Sequence, residues 1–126
     1  MELKDLEVYK LAREISREAW PVYKEMDWKE KKLMGDQWIR SIDSIGSNVA
    51  EGFGRFHYLD KNKFNYNARG SLTEAIHWTE ILHERELLTL EKYSSLEPKL
   101  KNMHLKLNNY INSTKERAKN SKKESN

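Results

Sequence analysis

Two Glu-x-x-His pairs, Glu74 with His77 and Glu80 with His83, are the residues of this chain whose spacing could hold a metal ion. Carboxylate-bridged di-iron bundles use one such pair on each of two facing helices, with a further glutamate from each of the other two. Here both pairs fall on a single helical stretch, and the spacing turns Glu80 away from the apolar stripe of Phe64, Trp78 and Leu82. The next histidine, His104, is preceded at three residues by Lys101 instead of a carboxylate. The pairs therefore read as solvent-facing charges with a flanking histidine, and no metal or cofactor is expected. Hydrolytic chemistry fares no better. Ser41, Ser44, Ser47 and Ser71 come with no histidine and aspartate at a spacing that would activate them. There is no cysteine, and GFGR lacks the Gly-Lys-Ser/Thr sequence of a phosphate loop. The expectation is a protein that binds without catalysing.

Two other features could do work. Residues 53–70, FGRFHYLDKNKFNYNARG, place Arg55, Lys61, Lys63 and Arg69 against one acid, Asp60, with Phe53, Phe56, His57, Tyr58, Phe64 and Tyr66 between them. Cations attract phosphates without regard to sequence, and exposed aromatic rings stack on unpaired bases. The same pattern also fits Phe53 and Phe64 in a core, with the rest closing one end of it. The second feature is a polar row, Gln37, Ser41, Ser44, Asn48, Glu51 and Arg55, beside an apolar line from Trp38 to Val49. Such a row is a solvated face or a docking seam. The seam is preferred, with Glu51 facing Arg69 as a structural ion pair.

The elements that must position these residues are helices. Val8, Leu11 or Ala12, Ile15, Ala19, Val22 and Met26 recur at intervals of three and four from about residue 5 to 26. Pro21 predicts a bend or an end near Trp20. A second helix, about 28–53, carries Trp38, Ile42, Ile45, Val49 and Phe53, close to the heptad rhythm of a bundle seam. Mid-helix Gly46 predicts a kink or a close neighbour. After a glycine-broken loop, Asp60 is expected to cap a third helix to about Leu88, with the stripe Phe64, Ala68, Ser71, Ala75, Trp78 and Leu82. The fourth is expected from about Leu96 to Ser113, with Pro98 in its first turn. Four amphipathic helices with short connections predict an all-α, antiparallel up-down four-helix bundle over 1–113.

Bulk properties agree. The chain has 126 residues, the length of one domain, with 37% hydrophobic and 34% charged residues. The net charge of +3 sits in residues 113–126, where five Lys/Arg meet two Asp/Glu; the other 112 residues carry 18 of each sign. That polar segment, 114–126, is expected to be a disordered basic tail. With no span of about 20 apolar residues and no secretory pattern at MELKDLEVYK, no membrane partner is expected, and the cytoplasm is the expected location.

DLEVYKLA, QWIRSIDSIGSNVAEGFGR and FNYNARGSLTEA give the chain a resemblance to the 23S rRNA-intervening-sequence, or S23-like, family. SNVAEG followed by ARGSLTEA is the specific part, and Gly46 stands where that family commonly has a proline. The resemblance implies a bundle that assembles into a homopentamer and carries no catalytic residues. It also implies partners, since a related bundle is the accessory subunit of a reverse transcriptase acting with nucleic acid. Asn48, Glu51, Gly52, Arg55, Arg69, Gly70, Ser71 and Glu74 are this chain's copies of the recurring motif. Gly52, Gly70 and Ser71 are expected at close packing, Glu51 and Arg69 as polar anchors. The expected function is an oligomeric adaptor binding RNA or DNA through Arg40, Arg55, Lys61, Lys63, Arg69 and the tail lysines. The alternative is a protein–protein subunit of a reverse transcriptase or another enzyme.

Overall fold

The computed structural model describes residues 1–125, with side chains as far as Lys122. After a short 3-10 turn at Leu3–Asp5, the elements are α1 (Glu7–Glu25), α2 (Trp28–Glu30), a π-helical segment (Lys31–Gly35), α3 (Asp36–Phe53), α4 (Tyr58–Glu84) and α5 (Leu90–Ser125). Backbone angles stay right-handed helical across Glu30, Lys31, Gly35 and Asp36, so α2, the π segment and α3 form one rod. The fold is therefore all-α with four rods, and no strand occurs among the described residues.

Each rod packs against two others: α1 on α3, α3 on α4, α4 on α5, and α5 back on α1. Cross-links show the direction of three of these pairings. Between α3 and α4, Trp38 Nε1 donates to Thr79 Oγ1 at 3.0 Å and Ser71 Oγ donates to Ser44 Oγ at 3.0 Å. Between α4 and α5, Asn62 Nδ2 donates to the Ile111 carbonyl and Tyr93 donates to Glu80. Between α1 and α3, Ser16 donates to Asp43 and Tyr23 to Asp36. In each of these three pairs one number rises as the other falls, which is antiparallel packing. The core lies along the common axis, with Ile15, Trp38, Ile45, Val49, Leu72, Leu96, Met103 and Leu107 fully enclosed.

The helices differ from the sequence reading in instructive places. Neither proline breaks its helix: α1 passes through Pro21 and α5 through Pro98. Both lie on exposed faces, as do Arg17 and Ser94, so the carbonyls that lose a donor can meet water. Helix α5 begins at Leu90, ahead of the expected Leu96, because Thr89 Oγ1 accepts the Lys92 N–H and caps it. Helix α4 begins at Tyr58, with His57 in the cap position, and Asp60 instead supplies a negative charge to its first turn. It stops at Glu84, where Glu86 takes a left-handed φ of 61° and the Leu87 and Glu86 N–H groups return to the carbonyls of Leu82 and His83.

The segment 114–125, expected to be disordered, is helical, which leaves only Asn126 outside the described residues. It holds no glycine or proline, its Thr114 is buried, and its lysine, arginine, glutamate and alanine residues are good helix formers. It extends α5 to 36 residues, far longer than the other helices. No helix among the described residues is long and apolar enough to cross a membrane.

Candidate nucleic-acid interface

The five cations singled out from the sequence do not act as one set. Gly52 is buried where α3 meets the start of α4, and a Cβ there would lie 2.9 Å from the Lys61 carbonyl and 3.1 Å from Phe64 Cβ. That contact turns Lys61 inward. Its Nζ donates to the Phe53 carbonyl at 3.0 Å and lies over the Phe53 ring, 5.6 Å from its centre. Burial first, then the nearby Arg117 charge, lower its pKa. Lys61 thus satisfies a carbonyl at the end of α3. Arg55 pairs with Glu51 and packs its guanidinium over Phe64. Arg69 donates to Asn108 Oδ1 at 3.1 Å and lies over Tyr66. The expected Glu51–Arg69 pair is therefore not formed, since Glu51 has a partner four residues along its own chain and Arg69 turns toward α5. Arg40 sits near Tyr23 and Asp36 in the middle of the rod, about 20 Å from its Phe53 end at 1.5 Å per residue. Lys63 is exposed on the first part of α4.

What gathers instead is a cleft of about 880 Å³ between the start of α4 and the last turns of α5. One wall is Phe56, His57, Tyr58, Leu59, Asn62 and Tyr66; the other is Lys115, Ala118, Lys119, Ser121 and Lys122. Tyr58, Asn62 and Tyr66 follow at four-residue spacing and Arg69 continues the row. Lys115, Lys119 and Lys122 likewise share a face of α5. Phe56 and Leu59 are 89% and 80% exposed. Among the described residues the lining contains three lysines and no carboxylate. Lys115 also lies 5.7 Å from the centre of the Tyr66 ring, so two cations attend that tyrosine. The sequence reading missed this wall because it left the tail unfolded. The signal was there, since lysines at i, i+4 and i+7 with no helix breaker describe one helical face.

The polar row of α3 separates into parts. Asn48 Nδ2 donates to the carbonyl and hydroxyl oxygens of Ser44, and Ser44 accepts from Ser71, so these three form a half-buried seam between α3 and α4. Gln37 and Glu74 are exposed. Gly70, expected at a close contact, has nothing within 4 Å of a Cβ built on it.

Residues 4–109 match the family described as 23S rRNA-intervening sequence protein. The chain belongs to that family. A crystal structure of a protein with unknown function from the S23 ribosomal protein family of Bacteroides thetaiotaomicron VPI-5482 is similar, with a TM-score of 0.76 and 25% identity. The match covers 82% of this chain and 97% of that one. No curated protein matches.

In this 23S rRNA-intervening sequence protein the Glu-x-x-His pairs have a structural part that the sequence hid. Glu80, expected to face away, is half-buried and accepts from the Tyr93 hydroxyl at 2.7 Å. His83 stacks on the same tyrosine, ring centres 3.9 Å apart and nearly parallel. The hydrogen bond to Glu80, then burial and the charges of Glu80, Glu97 and Glu84, push the Tyr93 pKa up to about 12. The buried face of α4 is Asn62, Asn65, Ala68, Leu72, Ala75, Thr79 and Leu82, so Phe64, Ser71 and Trp78 are left at its edge. That rotation brings Glu80 to α5. Among the described residues no three His, Asp or Glu side chains gather as a metal ion would require.

Proposed function

We propose that this 23S rRNA-intervening sequence protein is a non-catalytic, oligomeric adaptor that associates with nucleic acid through the basic and aromatic end of its bundle. One observation carries the reading: Lys115, Lys119 and Lys122 face Phe56, Tyr58 and Tyr66 across an open cleft whose lining, among the described residues, has no carboxylate. Lysines there neutralise phosphates and release counterions, which makes binding strongly salt-dependent. Arg55, Arg69 and Lys63 add positive charge along the adjoining turns of the chain. Lys61 contributes through the architecture of the end, and Arg40 lies apart from it. Assembly of several copies, which the family resemblance implies, would repeat the cleft and raise the avidity of weak single sites.

The test is fluorescence anisotropy of labelled RNA and DNA with nuclease-treated protein, titrated across salt. Saturable binding with a steep negative salt slope, weakened by Lys119→Glu with Lys122→Glu, is the expected result. Absence of binding at low salt would overturn the reading. The end of the bundle would then be assigned to a protein partner such as a reverse transcriptase or another enzyme, for which exposed Phe56 and Leu59 are suited.

A further inference from the structure

The cleft has a shape and a division of labour that go beyond phosphate attraction. Its wall at the start of α4 exposes a full phenyl ring, Phe56 just ahead of the helix, and a leucine side chain, Leu59, which is costly in water unless something covers them. Its α5 wall offers lysines at steps of about 6 and 4.5 Å along one rigid helix. An occupant must therefore carry a flat or apolar group on one side and negative charge on the other. A base with its backbone phosphates is such a group, and the charge complementarity is one-sided because no acid among the described residues lines the cleft. Glu116, the nearest acid on α5 among the described residues, only approaches Lys119, at 3.8 Å, with both side chains largely exposed.

We infer that this cleft is a site for unpaired nucleotides, with a base stacked on Phe56 and the backbone phosphates led along Lys115, Lys119 and Lys122. A base inside a duplex has its faces covered by its neighbours and cannot reach Phe56, so the site selects single strands. Phe56 stands nearly perpendicular to the His57 ring, at 87° with centres 5.0 Å apart, and is 89% exposed, so ring surface is left open to an incoming base. Arg69 and Lys115 already attend Tyr66, so that ring anchors cations beside the stacked base. The lysine wall lies beyond the matched span 4–109, so this specificity belongs to the extension of α5 in this chain. The inference rests on the nucleic-acid reading above and assigns it a strand preference.

The test uses the full chain and three probes of equal length: an unstructured single strand, its duplex, which carries the higher charge density, and an abasic single strand. Binding of the single strand about tenfold or more tighter than of the other two, at the same salt, is the expected result. Phe56→Ala should remove most of that preference; the residue is exposed, and a coincident thermal melt would show the fold retained. Equal affinity for all three probes, or a preference untouched by Phe56→Ala, overturns the base site while leaving nucleic-acid association standing. Displacement of the single strand by polyglutamate as readily as by unlabelled strand also overturns it. Failure of every probe to bind at low salt overturns the underlying reading instead.

Discussion

The carbonyl of Lys61 stands 2.9 Å from where a Cβ on Gly52 would lie. This approach lets α4 start tightly against the end of α3. Gly52→Ala adds a methyl group against backbone that cannot swing aside, and should destabilise the protein by about 1–3 kcal/mol in denaturant unfolding. Gly70→Ala is the control: its surroundings are open and its backbone helical, so a gain of about 1 kcal/mol is expected. A loss at Gly70 would mean that a second copy packs there.

Lys61 and Lys63 are two positions apart yet face different surroundings. Lys61→Met should lower thermal stability, because the Phe53 carbonyl loses its donor, while the salt slope of nucleic-acid binding changes little. Lys63→Met should leave the melt unchanged and reduce the slope by about 0.7–1. The reverse pattern would return Lys61 to the phosphate-binding set.

Glu86 holds a left-handed backbone that suits glycine, closing α4 with the Leu82 and His83 carbonyls. Glu86→Gly should stabilise the protein by about 1 kcal/mol, read as a higher denaturant midpoint at unchanged slope.

The α1–α5 contact contains a pH-sensitive pair. Lys99 Nζ donates to Glu18 Oε2 at 2.8 Å and approaches Glu14 at 3.3 Å. Burial works against the Glu18 charge, but hydrogen bonds from Lys99 and Ser95, with attraction to Lys99 and Lys92, outweigh it and lower its pKa below 4.5. A lowered carboxyl pKa contributes stability that is present above 4.5 and lost as pH falls through the lowered value. In acid titration of unfolding free energy, Glu18→Gln should therefore lose less stability than the wild type in that window.

Tyr93, with its pKa pushed up to about 12, should ionise after the ordinary tyrosines in an ultraviolet absorbance titration. Glu80→Gln should bring that midpoint down, and Tyr93→Phe should remove it. Because the folded value is raised, the stability this tyrosine contributes is present below 10 and is lost as pH rises through about 12. An unchanged midpoint in Glu80→Gln would contradict the hydrogen bond as the leading cause.

Apolar periodicity alone determined the class and number of the helices, and on α3 it also determined the buried face. Trp38, Ile42, Ile45 and Val49 are the residues that the spacing selects and that the core encloses. That works because a single apolar stripe on a helix names its own inward side. Helix α4 is different, since its buried face interrupts the apolar stripe with polar Asn62, Asn65 and Thr79, which find partners inside. Which face such a helix buries depends on where its two neighbours stand, and no local pattern carries that information. The cleft follows the same logic. Its lysines and aromatic rings were legible as residue types, but they lie some fifty positions apart in the chain. Only the antiparallel return of α5 past the start of α4, and the continued helix through 114–125, bring them face to face.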